Sequence, residues 1–366
     1  MELYLDNAAA TPVDVRVSRA YVRALGSYGN PSSFNDAGRR ARTLLDDARR
    51  RVAAFLGARP GEVVFCASGS EANGLALSGA RRILTQPTEH PSVLRSAGKR
   101  AHLVDVDEAG RVDPGDIIKA IRADTDVVSI MYANNETGTV QPIRKIGRLI
   151  REYRRAHHRP YPLFHVDACQ AAAWLPMNVQ ELGVDLLTLN GAKVHGPHGT
   201  AALFVRRGIS LAPRVLGGDQ EHRLRAGTED VAGAVGLATA LGLVRTADGV
   251  RVRRLRKLLL ERLPIVLPGI RINGPTGDDA LPNIVNISIP GVSSEALLLA
   301  LDRRGIRAGS GSACTAHRVE PSHVLVAMGV PRRYLNGVLR ISMSRLTTRR
   351  DIETLLRELP KAVLSC

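Results

Sequence analysis

The sequence predicts an α/β protein, with a mostly parallel seven-stranded sheet in a large domain and a smaller α+β domain beside it. Seven short apolar runs alternate with helical patterns over the first two thirds of the chain, and such alternation builds a parallel sheet. After about Gly249 the strand-like runs become fewer. With 366 residues, 44% of them hydrophobic, the chain can bury a large core and form two domains.

The strand-like runs of the large sheet are separated by helical patterns, of which Ile143 to His157 is one. The seven runs are 63–67, 82–86, 102–106, 126–132, 163–167, 185–189 and 201–205. The smaller domain is predicted to contain strands near 270–273, 283–289 and 338–343 and helices at 293–304 and 350–359. We predict that residues 13–248 form the large domain and that residues 1–12 join residues 249–366 in the small one.

Lys193 is the strongest functional signal in the chain. It follows a β-like run and precedes a Gly/Pro turn. A Schiff base needs a lysine that is partly neutral, and burial at a strand end lowers the pKa of a lysine because it penalises the charged form. A solvated loop lysine is the alternative that this residue alone leaves open.

Asp167 ends the buried run 163–167, at the edge of the sheet where α/β proteins bind ligands. With Gln170 after it and Lys193 at the next strand end, the pattern fits pyridoxal phosphate (PLP) chemistry. In that chemistry a carboxylate keeps the pyridine nitrogen of the cofactor protonated. The alternative role for Asp167 is a helix N-cap.

Further polar residues follow the other strand-like runs. Residues 63–73 are predicted to form a strand, a turn of small residues and the start of a helix. Backbone N–H groups at this helix start and the Ser70 hydroxyl could bind a phosphate. An ordinary capped helix has the same pattern. His90 is a catalytic candidate that could stack on a flat ring and move protons near neutral pH, although a lone histidine is more often structural. The side-chain amides of Asn134 and Asn135 could hydrogen-bond a phenolic oxygen.

In this order the residues resemble the cysteine desulfurases of the class V aminotransferase group, which are fold type I PLP-dependent transferases. The resemblance covers nearly the whole chain. Its motifs are YLDNAAATP (4–12), GNPSS (29–33), SGSEAN (68–73), TEH (88–90), NNETG (134–138), HVDACQ (165–170), Lys193, RAGT (225–228), GSGSACT (309–315) and EPS (320–322). It implies a homodimer that converts L-cysteine to alanine and passes sulfur to an acceptor protein.

The resemblance also implies a role for each site residue. Lys193 would hold PLP as an internal aldimine and later remove the substrate Cα proton, and Cys314 would attack the substrate sulfur and become a persulfide. The residues implied to bind PLP are Gly69 and Ser70 (phosphate), His90 (stacking), Asn135 and Gln170 (phenolic oxygen), Asp167 (pyridine nitrogen), Lys193, and Thr228 of the partner subunit (phosphate). The residues implied to bind L-cysteine are Asn30, Asn135 and Arg340, whose planar guanidinium suits a carboxylate.

Cys314 lies in a glycine- and serine-rich segment that we expect to leave its thiol mobile and exposed. A free thiol has a pKa of about 8.5, so part of it is thiolate at neutral pH. Cys66 and Cys169 stand in apolar or strand-end contexts, and Cys366 is the last residue. Four cysteines without close pairs indicate neither a disulfide framework nor a zinc site.

Two positions beside the expected phosphate site depart from the family pattern. Ala192 stands where a histidine is usual, and Asn190 stands near a usual serine. We therefore expect PLP to be held more weakly or differently, with no chemical step lost.

The formal charge of +16 has two explanations. Its arginine clusters fit solvated helix faces and would also attract an acidic sulfur acceptor, which serves iron–sulfur clusters or thio-modified nucleic acid. Direct nucleic-acid binding is less favoured, because aromatic residues are only 4% and no nucleic-acid motif is present. The chain starts with a strand-like segment and has no membrane-length apolar stretch, so we expect a cytoplasmic enzyme without a bound metal.

Two other functions stay open at the level of the sequence. A selenocysteine lyase, or another class V PLP enzyme, would prefer a different substrate and tolerate the loss of Cys314. A catalytically weak scaffold that binds partner proteins would release neither alanine nor sulfide.

Overall fold

A computed structural model describes residues 2–311 and 321–366, and in this part of the chain all the predicted strands and helices are present. The strands are β1 (Leu3–Tyr4), β2 (Val63–Cys66), β3 (Ile83–Thr85), β4 (Ala101–Leu103), β5 (Val127–Ser129), β6 (Leu163–Asp167), β7 (Leu186–Asn190), β8 (Ala201–Val205), β9 (Arg271–Asn273), β10 (Ile284–Ser288), β11 (Ile306–Arg307) and β12 (Val338–Ser342). The helices are α1 (Val15–Leu25), α2 (Asp36–Leu56), α3 (Gly69–Ala76), α4 (Pro91–Ala97), α5 (Pro114–Ala120), α6 (Ile143–Ala156), α7 (Val179–Leu182), α8 (Val231–Leu241), α9 (Thr246–Val266), α10 (Ser294–Arg303), α11 (His323–Ala327) and α12 (Arg349–Val363).

Strands β2 to β8 form one sheet in the order β2-β8-β7-β6-β5-β3-β4. Neighbouring strands are parallel except around β8, which runs antiparallel to both β2 and β7. The predicted fold class, with a mostly parallel seven-stranded sheet, is therefore confirmed. Because β3, β5, β6 and β7 are parallel, the segments that follow them emerge at one edge of the sheet, where ligands bind in such folds.

Strand β5 is shorter than the predicted run 126–132, but the chain beyond it stays beside β6. The Ile130 N–H donates to the His165 carbonyl at 3.1 Å, and the Tyr132 N–H donates to the Asp167 carbonyl at 2.8 Å. These bonds carry the chain to the loop 134–138 at the carboxyl edge of the sheet.

Two smaller sheets and their helices enclose a second apolar core. Strands β12, β10 and β9 are antiparallel neighbours, and β1 pairs in parallel with β11. This core contains Leu5 together with residues such as Leu259 of α9, Leu301 of α10 and Leu355 of α12, all fully buried. The predicted domain boundaries remain predictions, although the pairing of β1 shows that the N-terminal segment packs with the second core.

The N-terminal segment joins this second core to the large sheet. Near β12, the Asn7 side chain donates to the Ser342 carbonyl at 2.8 Å, and the Ser342 hydroxyl accepts from the Ala8 N–H at 2.9 Å. Near β7, the Thr11 N–H donates to the Ala192 carbonyl at 2.9 Å. The turn that carries Lys193 is thereby connected to the second core through only a few residues.

Within residues 2–311 and 321–366, no single helix has the length and apolar composition needed to cross a membrane. Helices α8 and α9 meet those criteria only as a pair, bent by 69° at the break between them. In the same described part of the chain, no group of three or more His, Cys, Asp or Glu side chains is placed to hold a metal ion.

Candidate active site

Lys193 lies in the short turn that directly follows β7. Its ammonium donates to the Ala8 carbonyl at 2.9 Å and also to the Ala9 carbonyl. The Gln170 side-chain amide donates to the same Ala8 carbonyl at 2.8 Å. Two residues that the sequence associates with the cofactor, Lys193 and Gln170, therefore converge on one backbone oxygen of the N-terminal segment.

Asp167 ends β6 and is buried. Its Oδ1 accepts from the Cys169 N–H at 3.0 Å. This oxygen therefore stabilises the turn after β6, as a capping residue would. Its Oδ2 accepts from the Asn73 side chain of α3 at 2.7 Å. The carboxylate is thus oriented from two sides at the carboxyl edge of the sheet.

Asn73 also connects Asp167 to His90. The Asn73 Nδ2 donates to the Ser92 hydroxyl at 2.9 Å, and that hydroxyl lies 2.8 Å from His90 Nδ1. His90 caps α4, because its Nδ1 accepts from the Ser92 N–H at 3.1 Å. An accepting Nδ1 places the proton of the neutral ring on Nε2.

Burial lowers the pKa of His90, and the Lys193 and His323 charges lower it further, while Asp167 opposes them. His90 is therefore neutral at physiological pH. A neutral, oriented imidazole can stack on a flat ring and can donate a proton from Nε2.

The start of α3 forms a cradle beside this network. Ser68 is the N-cap, and its hydroxyl accepts from the Glu71 N–H at 3.1 Å, whereas Ser70 is exposed in the first turn. A Cβ at Gly69 would lie 2.9 Å from the Cys169 sulfur and 3.3 Å from Asn190 Nδ2. A side chain at this position would clash, so glycine allows the helix start to approach Cys169 and the amide donor of Asn190 closely.

These residues fit PLP. The cradle offers first-turn N–H groups and an amide to a phosphate, Asp167 offers a buried carboxylate to a ring nitrogen, and Lys193 offers an amine. Asn190 stands near the serine that is usual in the family, and its side-chain amide supplies another hydrogen-bond donor beside Gly69. Ala192 supplies no side-chain donor.

The predicted substrate residues have different surroundings. Arg340, only 2% exposed, donates to Asp6 Oδ1 at 2.7 Å and to the Asn135 carbonyl at 3.1 Å. Among the described residues its Nε has no hydrogen-bond partner. Asn135 is half-buried and Asn30 is exposed. These assignments stay predictions.

For Thr228 and Cys314, the predicted roles rest on the resemblance alone. Thr228 is exposed and, within the described residues, makes no hydrogen bond to Gly69 or Ser70. Its assignment to the site of the partner subunit stays a prediction. Cys314 lies outside the described residues.

Two of the described cysteines, Cys66 and Cys169, are poorly suited to nucleophilic attack, whereas Cys366 is exposed. Burial raises the pKa of the Cys66 thiol, and the Glu71 and Glu221 charges raise it further. Burial raises the pKa of the Cys169 thiol, and Asp167 adds to that effect. Both thiols therefore stay protonated at neutral pH.

Several residues of the site were not found by sequence reasoning. Asn73, Ser92 and Glu89 stand in or beside the quoted motifs, but nothing in the sequence connects them to Asp167 or His90. Glu89 is fully buried, and its Oε1 accepts from the Met131 N–H at 2.5 Å and from the Gln86 side chain at 3.0 Å. Burial raises the pKa of Glu89 to about 8, with Asp167 contributing, so this carboxyl is mostly protonated at neutral pH.

The chain is similar to known proteins over almost its whole length. A family model described as aminotransferase class-V matches residues 3–355. A curated relative, cysteine desulfurase IscS of Dictyoglomus turgidum, is 37% identical over 99% of this chain and 94% of its own. A solved structure of a NifS-like protein has a TM-score of 0.89 at 32% identity and covers 99% of both chains. The structure of SspA in complex with cysteine has a TM-score of 0.81 at 30% identity, over 94% of this chain and 100% of its own.

Proposed function

This chain belongs to the aminotransferase class-V family, and from that premise we propose that it is a cysteine desulfurase. It converts L-cysteine to L-alanine and takes up the sulfur on Cys314 as a persulfide. The observation that carries the proposal is the convergence of Asp167, His90 and Lys193 at the carboxyl edge of the large sheet.

The cofactor is PLP, which when bound supplies a sink for the electrons released at the substrate Cα. Gly69, Ser70 and Asn190 would hold its phosphate, and Asp167 would accept from its ring nitrogen. His90 would cover one ring face in its neutral form. The hydrogen bonds of Asn73 hold the Asp167 carboxylate and, through Ser92, the His90 imidazole in fixed positions relative to each other.

The remaining chemistry belongs to three side chains. Lys193 removes the proton at Cα and returns protons to the product, and Arg340 orients the substrate carboxylate. The Cys314 thiolate attacks the substrate sulfur, forming an S–S bond as the C–S bond breaks. The C–S electron pair stays on the substrate Cβ and is protonated, so cysteine and one enzyme thiol become alanine and one persulfide.

Incubation of PLP-loaded protein with L-cysteine tests this function. We expect alanine and a gain of about 32 Da, the mass of one sulfur atom, on the peptide that contains Cys314. Cys314→Ser should keep the visible absorption of bound PLP and lose catalytic alanine formation, whereas Cys366→Ser should behave as wild type. Alanine at the wild-type rate from Cys314→Ser, or sulfur on Cys66 or Cys169, would refute the assignment of the nucleophile.

We further propose a cytoplasmic homodimer whose acceptor is an acidic protein, in iron–sulfur assembly or nucleic-acid thiolation. The charge of +16 supports an acidic acceptor, because opposite net charges accelerate encounter. Sulfur transfer from the persulfide to candidate acceptors should slow as salt rises. An unchanged transfer rate across salt concentrations would contradict this choice.

A further inference from the structure

A cavity of about 550 Å³ lies between α9, the loop before β10 and Trp174. Its volume is within the range of roughly 300–1,000 Å³ that is usual for small-molecule sites. It is lined by Trp174, Thr246, Gly249, Val250, Arg253, Arg254, Arg256, Lys257, Leu260, Thr276, Gly277, Asp278 and Pro282. The candidate active site uses none of these side chains.

The cationic side of the cavity is supplied by α9. Arg256 is buried and donates to the Ile284 carbonyl at 2.9 Å and the Thr276 carbonyl at 3.1 Å, so its role is structural. Arg254 and Lys257 are exposed. Among the described residues Arg254 has no carboxylate within ion-pair distance, and the nearest carboxylate to Lys257 is Glu261, at 3.8 Å. Two cations therefore face the cavity with little neutralisation.

One acidic side chain, Asp278, lies among the lining residues. The Asp278 carboxylate, which is 97% exposed, lies 3.3 Å from the Arg253 guanidinium. A pair this exposed is weak and is readily exchanged for another anion. Arg253 and Lys257 thus have only exposed, weak ion pairs, and Arg254 has none among the described residues.

Apolar groups also line the cavity. Trp174 is half-buried and packs against both apolar cores, and the lining further includes Leu260 of α9 and Pro282. Trp174 also lines a second, much smaller cavity next to Lys193, so the two cavities share one wall. A ligand that suits this lining carries anionic groups together with a flat or apolar group.

We propose that this cavity binds a nucleotide-sized phosphorylated molecule, with its phosphates on Arg253, Arg254 and Lys257 and its ring on Trp174. Guanidinium groups pair bidentately with phosphate, and an indole is a stacking surface. A concave site of this size takes a small polyanion, whereas sequence-independent nucleic-acid binding spreads over many phosphates. This site goes beyond the desulfurase function and does not depend on it.

The chain has a built-in reporter, because Trp174 is its single tryptophan. We would titrate PLP-saturated protein with ATP and with inorganic triphosphate, following tryptophan fluorescence and, separately, heat of binding. PLP saturation is needed because Trp174 also borders the Lys193 cavity. We expect saturable binding of both anions, with ATP bound more tightly because only ATP has a ring.

Matched variants locate the site. The double variant Arg254→Glu/Lys257→Glu should weaken ATP binding by about a hundredfold, roughly tenfold for each lost charge-assisted contact. The double variant Arg39→Glu/Arg42→Glu, on another exposed helix face, should bind as wild type. No saturable binding, equal loss in both variants, or binding of an oligonucleotide but not ATP would each overturn the proposal.

Discussion

At the scale of single residues, the most informative contact is the bridge that Asn73 makes between Asp167 and Ser92. Its two N–H bonds orient the carboxylate and, through the Ser92 hydroxyl, the His90 ring. Among the described residues the Asn73 Oδ1 has no hydrogen-bond partner, so the side chain acts at this site as a donor. Asn73 is therefore a positioning residue for the groups that face the cofactor.

Asn73→Ala should weaken PLP binding by about tenfold, because a hydrogen bond to a charged carboxylate contributes about 1.5 kcal/mol. The pH dependence of the absorption of bound PLP should also shift, since the charge on Asp167 is less stabilised. Ser92→Ala removes only the hydroxyl that connects Asn73 to His90, and it should leave that pH dependence closer to wild type. Equal effects of the two variants would show that Asn73 acts through folding alone.

Glu89 makes stability depend on pH. Its carboxyl stays protonated in the folded protein up to a pKa of about 8, whereas in the unfolded chain it ionises near its ordinary pKa of 4.5. Unfolding therefore releases a proton between these values, and this contribution to stability is lost as pH rises through the window. The loss approaches about 1.4 kcal/mol per pH unit.

Glu89→Gln should consequently be stabilised relative to wild type as the pH approaches 8. Urea unfolding of both proteins across this pH window measures the effect. The exposed Glu353→Gln variant is the control and should keep the wild-type slope. A wild-type slope in Glu89→Gln would contradict a protonated Glu89.

At the scale of elements, a buried ion pair holds the segment that leads to Thr228. Arg49 of α2 bonds to both carboxylate oxygens of Glu221, at 2.8 and 2.6 Å, and Glu221 also accepts from the Phe65 N–H of β2 at 2.7 Å. Glu221, His222 and Arg223 all have positive φ angles, of 47°, 59° and 66°. Three consecutive side-chain-bearing residues in this conformation need outside support, and the ion pair supplies it.

Arg49→Ala should destabilise the protein by about 3–5 kcal/mol, because it leaves the Glu221 carboxylate buried without its cation. Arg50→Ala is a matched control on the same helix, since Arg50 is exposed and pairs with Asp47 at 3.4 Å. It should change stability by less than about 0.5 kcal/mol. The measurement is the free energy of unfolding in urea, and similar losses in the two variants would contradict the anchoring role.

At the scale of the whole molecule, the site depends on the connection between the large sheet and the second core. Ser342 is fully buried, and its hydroxyl accepts from Ala8 and donates to the Leu5 carbonyl at 3.1 Å. Ala8 in turn supplies the carbonyl that Lys193 and Gln170 share. The position of the lysine is therefore set partly by β12, far away in sequence.

Ser342→Ala should cost about 1–3 kcal/mol, since the buried Ala8 N–H loses its acceptor. PLP should also dissociate faster, because the N-terminal segment beside Lys193 is loosened. Ser365→Ala, whose hydroxyl lies near the chain end, is the control and should change neither quantity. Stability and PLP release as in wild type would show that the connection is not needed.

The strands of the large sheet and the fold class could be predicted from the sequence, which also singles out Lys193, Asp167 and His90 as candidate site residues. These depend on local signals: apolar periodicity, and polar residues placed just after strands. The family and the desulfurase activity followed from ordered motifs along the chain. The domain boundaries, the site roles and the partners remain predictions.

The orientation of these residues is set by contacts between distant parts of the folded chain. Asn73 and Asp167 are far apart in the chain, and Arg49 and Glu221 are farther apart still, so no periodicity relates them. The same holds for the cavity beside Trp174, whose walls come from three separate segments. The physical reason is that periodicity reports which face of an element is buried, whereas the partner of a buried polar group is chosen by packing between distant elements.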